Sequence, residues 1–171
     1  MKPFFALFLA IAVLLLPSCA VNRQSAAQVL DSIVEALIDG GIELPPARHI
    51  YLSGAAQGSR SHLSDKLAAL LYYGDRDANP REIALLSDFA IRLPDDLSAC
   101  EIHVLRAANP ANRDKIAEML QRRLDMLSRS EVHLFIPDAF ESNIAAGRVV
   151  VRGNFVILLI TPNNDLAEKG I

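Results

Sequence analysis

Residues 155–160 read Phe-Val-Ile-Leu-Leu-Ile, an apolar run with no polar position in it. Successive side chains of a strand point to opposite faces of its sheet. A strand apolar on both faces is therefore central and covered on both sides. Gly153-Asn154 stands directly before the run, with Arg148 to Arg152 before that pair. A two-residue loop of this kind is a hairpin signal, because glycine takes the positive φ that a primed turn requires. The chain is thus expected to close on a β-hairpin whose second strand lies inside a sheet. Pro162 ends that strand, and Asn163 to Ile171 reads as a short helix or a frayed tail.

Upstream, apolar residues fall on helical and strand periods in turn. Ser25 to Asp39 predicts a helix with Ser25 as N-cap and Ala26, Val29, Leu30, Ile33, Val34, Leu37 and Ile38 as its apolar face. Gly40-Gly41 ends it. Leu44-Pro45-Pro46 opens an irregular stretch, with Ile50-Tyr51-Leu52 extended and Gly54 to His62 as loop. Ser64 caps a second helix over Asp65 to Tyr73, with Leu67, Leu70 and Leu71 on one side, stopped by Gly74. Glu82 to Leu86 fits a helix or a strand equally well. Asp88 to Leu93 reads as a strand closed by Pro94-Asp95-Asp96. Cys100 to Arg106 reads as another, with Ile102 and Val104 on one face and Glu101 and His103 on the other.

Asn109-Pro110 introduces the longest helix, Ala111 to Ser128, whose apolar stripe is Ile116, Met119, Leu120, Leu124 and Leu127. Arg113, Glu118, Arg122 and Asp125 fall on its solvent side, Glu118 and Arg122 in the favourable i, i+4 order. Interleaved acids make this a solvated face rather than a basic patch. Glu131 to Ile136 is short and apolar, and Pro137-Asp138 starts a further helical turn through Ala146. Helix, helix, strand, strand, long helix, strand, strand is the order of an α+β domain. The expectation is two layers, with helices packed on an antiparallel sheet of about four strands.

The N-terminus carries an address. Lys2 supplies a positive charge, Phe4 to Leu16 is unbroken apolar sequence, and Pro17-Ser18-Cys19 follows. That run is too short for a spanning helix, which needs about 20 apolar residues, and it fits a signal-peptide core. Leu16-Pro17-Ser18-Cys19 resembles a bacterial lipobox: Leu16, Ser18 and the acceptor Cys19 match, while Pro17 is an uncommon middle residue. On that reading residues 1–18 are removed, 19–24 form a lipidated tether, and 25–171 form a single α+β domain. Ser18-Cys19-Ala20 also satisfies the small-x-small rule of an ordinary signal peptidase, which would release a secreted chain beginning at Val21. Bacterial lipoproteins carry at least a diacylglyceryl group, so the resemblance implies stable anchoring at the extracytoplasmic face of the cell membrane. The tether spans at most about 20 Å, which holds the domain near the bilayer.

Removing residues 1–18 from the 171 leaves 153, enough for one core. One base and no acid leave with them, so 16 basic and 20 acidic side chains remain, a net −4. Mild acidity argues against nucleic acid, which calls for a basic stripe, and against electrostatic binding to anionic lipid. With Cys19 committed to lipid, Cys100 has no intrachain disulfide partner. Beside Ile102 and Val104 it reads as a small buried hydrophobe, a reactive thiol being the other reading.

Several phrases of the sequence resemble a known family. These are Tyr51-Leu52-Ser53-Gly54 through Gly58-Ser59, His62-Leu63-Ser64-Asp65-Lys66-Leu67, and Leu71-Tyr72-Tyr73-Gly74. Asp88-Phe89-Ala90-Ile91-Arg92, Glu101-Ile102-His103-Val104-Leu105 and Arg148 through Val156 continue the series. Together they resemble uncharacterised bacterial lipoproteins grouped as domain of unknown function 4358, over about residues 50 to 160. The resemblance implies fold and envelope location. It implies no activity and assigns no site residue.

No catalytic or ligand motif in the sequence is complete. Gly54 to Ser61 has three residues between its glycines and no following lysine, unlike a phosphate loop. Asp75-Arg76-Asp77-Ala78-Asn79 imitates half a calcium loop, but Pro80 stands where glycine is needed and Leu86 where a bidentate glutamate is needed. His49, His62, His103 and His133 lack metal-ligand spacing, so no cofactor or metal is expected. No G-x-S-x-G or S-x-x-K signature occurs. Three readings of function remain. The first is a non-catalytic binding or accessory module, contacting an envelope protein or a small ligand through the glycine- and serine-rich Tyr51–Tyr73 segment. Tyr51, Arg60, Tyr72 and Tyr73 are the candidate contact residues there, although covering the sheet is the more ordinary role for the tyrosines. A small cell-envelope hydrolase with a non-obvious site is the second reading, and a ligand-free spacer is the third.

Overall fold

The computed structural model describes residues 24–95, 99–129 and 138–171. The expected signal peptide and the expected tether before Gln24, with Leu16, Ser18 and Cys19, lie outside the described residues, as do Asp96, the Glu131–Ile136 segment and His133.

Five helices and five strands are described, an α+β fold. The helices are α1 (Ala26–Asp39), α2 (Asp65–Tyr73), α3 (Arg113–Ser128), α4 (Asp138–Ala145) and α5 (Asn164–Ala167). The strands are β1 (Ala47–Leu52), β2 (Leu86–Pro94), β3 (Glu101–Ala107), β4 (Arg148–Arg152) and β5 (Phe155–Ile160). They form one antiparallel sheet in the order β1-β2-β3-β5-β4. The extended segment at Ile50–Leu52 is thus a full edge strand, the fifth. Glu82 to Leu86 divides between the two readings left open for it, with a 3-10 turn over Arg81–Leu85 running into β2. Gly153 has φ +56°, as the β4–β5 hairpin requires.

The expected two layers are corrected to three. Val156, Leu158 and Ile160 enter a core with Tyr51, Ile91, Leu105 and the inner faces of α2, α3 and α4. Ile157 and Leu159 face the other way, into a second core with Ala90, Ile102, Val104 and the α1 face Val29, Leu30, Ile33, Leu37. Residues 156–160 are all fully buried, as their composition demanded. Element order alone did not say that α1 would cross to the face opposite α2.

Local chemistry fixes α1 in place. Ser25 Oγ accepts from Gln28 N–H at 3.2 Å while Gln28 Oε1 accepts from Ser25 N–H at 2.8 Å, a complete capping box. Asp88 on β2 adds its carboxylate to the positive end of the helix, taking the Ala26 N–H at 2.7 Å. The Ser53 hydroxyl donates to the other oxygen of Asp88. One carboxylate therefore joins the start of α1, the sheet and the turn after β1.

The C-terminal segment docks as α5 and a 3-10 turn over Glu168–Gly170. Asn163 caps α5 through Leu166 N–H at 3.0 Å, and Arg148 on β4 pairs with Asp165 and Glu168 at 2.6 and 2.8 Å. Gly170 lies so close to α1 that a Cβ there would fall 2.5 Å from Ser32 O and 2.6 Å from Ile33 Cα. Gly170→Ala is expected to cost about 1–3 kcal/mol, because backbone must shift to admit the methyl group. Urea unfolding followed by far-ultraviolet circular dichroism reads the loss.

Candidate functional site

The second face of β3 is polar at two inward positions, and both are sealed. His103 is fully buried and Glu101 is 5% exposed. Strand periodicity points both toward α2 and α3 rather than toward water. From α2, the fully buried Tyr72 places its hydroxyl 3.0 Å from His103 Nδ1. His103 Nε2 lies 3.0 Å from Glu101 Oε2. From α3, Arg123 donates to both oxygens of Glu101, through Nε at 3.0 Å and Nη2 at 2.5 Å. Its Nη1 points at the Leu71 carbonyl near the end of α2, at 3.5 Å.

The proton assignments follow from the partners. Burial alone raises the Glu101 carboxyl, but the Arg123 guanidinium and the His103 hydrogen bond outweigh it and bring it down to about 2. An ionised carboxylate only accepts, so His103 Nε2 carries the hydrogen. Nδ1 is then a bare acceptor, and Tyr72 O–H donates to it. Burial lowers the pKa of His103 and keeps the ring neutral. Burial likewise raises the Tyr72 phenol, with Arg123 opposing and Glu101 reinforcing the rise.

Tyrosine, imidazole and carboxylate in a row resemble in outline a nucleophile, its base and an orienting acid. Tyr72 cannot fill the first role at neutral pH. Its hydroxyl is sealed from solvent and its proton is held more tightly than usual. What the cluster does is mechanical: Tyr72 ties α2 to β3, and Arg123 ties α3 to β3.

The depressed Glu101 carboxyl has a measurable consequence. An unfolded glutamate titrates near 4.5 and the folded one near 2, so the stabilisation is complete above about pH 4.5. It shrinks as pH falls through that interval and is gone below about 2. The span corresponds to about 3 kcal/mol. Unfolding midpoints in urea should fall steeply between pH 4.5 and 2.5 in the wild type. Glu101→Gln should flatten that stretch.

The contact residues read from sequence separate in space. Tyr51 is 5% exposed and Tyr72 fully buried, both in the core beneath α2. They cover the sheet, and their rings are not offered to a partner. His49 stacks against Tyr51 with ring centroids 5.4 Å apart. Arg60 stands exposed on the loop between β1 and α2. Tyr73 is half-buried and donates its hydroxyl to Glu82, and the Arg122 guanidinium lies 4.5 Å over its ring. Arg122 also lies 3.7 Å from Glu82, so it reaches across to the 3-10 turn preceding β2. Leu70, expected on the apolar side of α2 with Leu67 and Leu71, is instead exposed, one turn before Tyr73. Arg60, Leu70, Tyr73 and Arg122 are the accessible part of the predicted contact region and its surroundings.

The calcium-like phrase is a turn in which Asp75 Oδ1 accepts the Asp77 N–H at 2.9 Å. Among the described residues, no group of three or more His, Cys, Asp or Glu could hold a metal ion. Among the same residues, no helix is long and apolar enough to cross a membrane. Cys100 is fully buried beside β3.

Sequence reasoning did not pick out Arg123, and a signal for it existed. Arg123 lies seven residues after Ile116 and four after Met119, inside the apolar stripe of α3. A charged residue on a buried stripe needs a partner. Glu101 and His103, two apart on one strand face, were the available complement. Comparison of the chain with family models, curated proteins and solved structures returns no match.

Proposed function

We propose that the chain is an exported lipoprotein, anchored through lipid on Cys19. Its α+β domain serves as a non-catalytic binding or accessory module at the extracytoplasmic face of the membrane. The lipobox-like Leu16-Pro17-Ser18-Cys19 behind a short apolar core supports the address. So does the resemblance to uncharacterised bacterial lipoproteins. The observation that carries the molecular reading is the Tyr72–His103–Glu101–Arg123 cluster. The residues that look most like catalytic machinery tie two helices to the sheet, and the Tyr72 and His103 polar groups have no route to solvent.

Recognition then falls to the surface at Arg60, Leu70, Tyr73 and Arg122. An aromatic ring capped by a guanidinium beside an exposed leucine suits contact with an envelope protein or a small ligand of mixed character.

Palmitate labelling and intact mass test the address. The expected product begins at a diacylglyceryl-modified Cys19, and an unmodified chain beginning at Val21 overturns it. In-cell cross-linking compared between wild type, Arg60→Ala and Tyr73→Ala tests the surface. Loss of a cross-linked species with folding intact is expected. Identical cross-linking in all three counts against the surface.

A further inference from the structure

We infer that the Tyr72–His103 hydrogen bond is a pH-sensitive latch: protonation of His103 reverses it, strands the Tyr72 hydroxyl hydrogen in a sealed site and releases α2 from the sheet. The geometry requires a neutral ring. Nδ1 can accept from Tyr72 only while it is bare, and Nε2–H already serves Glu101. A proton taken from solvent by Nδ1 turns that acceptor into a donor, so the Tyr72 hydroxyl can only accept from it and must turn its own hydrogen away. The Tyr72 hydroxyl hydrogen then has no acceptor inside a sealed site, and unpaired buried polar groups are costly.

Charge balance reinforces the conflict. The charged and titratable groups facing His103 are Glu101 on its own strand, Arg123 on α3 and Tyr72 on α2. Its register partners on β2 and β5 are the uncharged Ile91 and Leu158. Glu101 and Arg123 already neutralise each other through two hydrogen bonds, so a protonated ring adds an uncompensated charge. Burial accordingly lowers the pKa of His103 below its ordinary value of 6.5.

The stress falls on α2 rather than on α3. A protonated imidazole still donates to Glu101, and Arg123 keeps its carboxylate, so the β3–α3 tie persists. The Tyr72 hydroxyl is the group left without an acceptor. Helix α2 has nine residues, too few to hold itself helical in water without docking. Its remaining polar ties are the 3.5 Å approach of Arg123 Nη1 to the Leu71 carbonyl and, at its last residue, the Tyr73 hydroxyl on Glu82 with Arg122 over the ring. Release uncovers Ala68, Leu71 and Tyr72, which are buried in the closed form.

The sign of the effect is fixed. A histidine whose folded pKa is depressed stabilises the closed form above about 6.5 and loses that contribution as pH falls through the folded value. Amide NMR of the purified full chain in detergent micelles, titrated from pH 7.5 to 5.0, reads the latch. Signals of residues 65–73 should shift to a released state, the open-to-closed ratio rising by up to about tenfold per pH unit below about 6.5. Signals of α1 should stay in place, and His103→Gln should remove the pH response of α2.

Unchanged α2 signals down to pH 5.0 would overturn the inference. Simultaneous loss of α1 and α2, or an undiminished response in His103→Gln, would do the same. Should His103→Gln fail to fold, Tyr72→Phe serves in its place, since it keeps the ring packing and removes the hydroxyl on which the latch depends. Its α2 response should be flatter than that of the wild type, and an equal response overturns the latch.

Discussion

Replacing Glu101 with alanine is expected to cost about 3–5 kcal/mol, the largest loss from any single polar change in this fold. The substitution removes the acceptor of two Arg123 hydrogen bonds and one from His103, and leaves the guanidinium facing an apolar core. A domain of this size has about 5–15 kcal/mol of stability in all, so the variant sits near the edge of folding. Arg123 is 18% exposed at its side chain and can draw in some water, which places the loss toward the lower end of the range. The expected signature is non-additivity. Glu101→Leu combined with Arg123→Met should be more stable than Glu101→Ala alone, since removing both charges also removes the desolvation problem. Urea midpoints of the wild type, singles and double measure this. A loss below 1 kcal/mol for Glu101→Ala would show that the cluster does not hold α3 to the sheet.

The contrast between the cluster and the rest of the fold is a contrast in range. Ser25, Ser64 and Gly74 announce helix ends because a cap satisfies backbone groups within three or four residues of itself. The β4–β5 hairpin was readable to the residue, since Gly153-Asn154 and an all-apolar strand carry the pairing locally. The third layer was not, because α1 docks onto β2 and β3 across more than fifty residues of sequence, and its apolar stripe does not name its target. The same holds for the site. Tyr72, Glu101, His103 and Arg123 come from three elements, and no spacing rule links them. Tyr51 and Tyr72 were ambiguous in sequence because tyrosine suits both a sheet cover and an interface. Burial decides between the two. The one long-range clue was Arg123 on an apolar helix stripe, a local violation that only a distant carboxylate could resolve.

Ile157→Ala and Leu158→Ala should each cost about 2–5 kcal/mol, although the two side chains point in opposite directions. Both are fully buried. Ile157 packs in the core under α1, and Leu158 packs in the core under α2, α3 and α4. In a two-layer domain one of the pair would face water, and truncating it would cost within about 0.5 kcal/mol. Two large losses from adjacent residues therefore report a sheet covered on both faces. The two cores are separated by the sheet, so the double variant tests their independence. Additive losses are expected if the backbone of β5 does not shift, and a coupling of 0.5 kcal/mol or more would mean that it does. Hydrogen exchange gives a second axis. Ile157→Ala should raise exchange in α1 first and Leu158→Ala in α3 first, because each truncation leaves its cavity beneath a different helix. A small effect at either position would return the fold to two layers. At Ile157 it would also remove α1 from the core that its capping box and its bond to Asp88 serve.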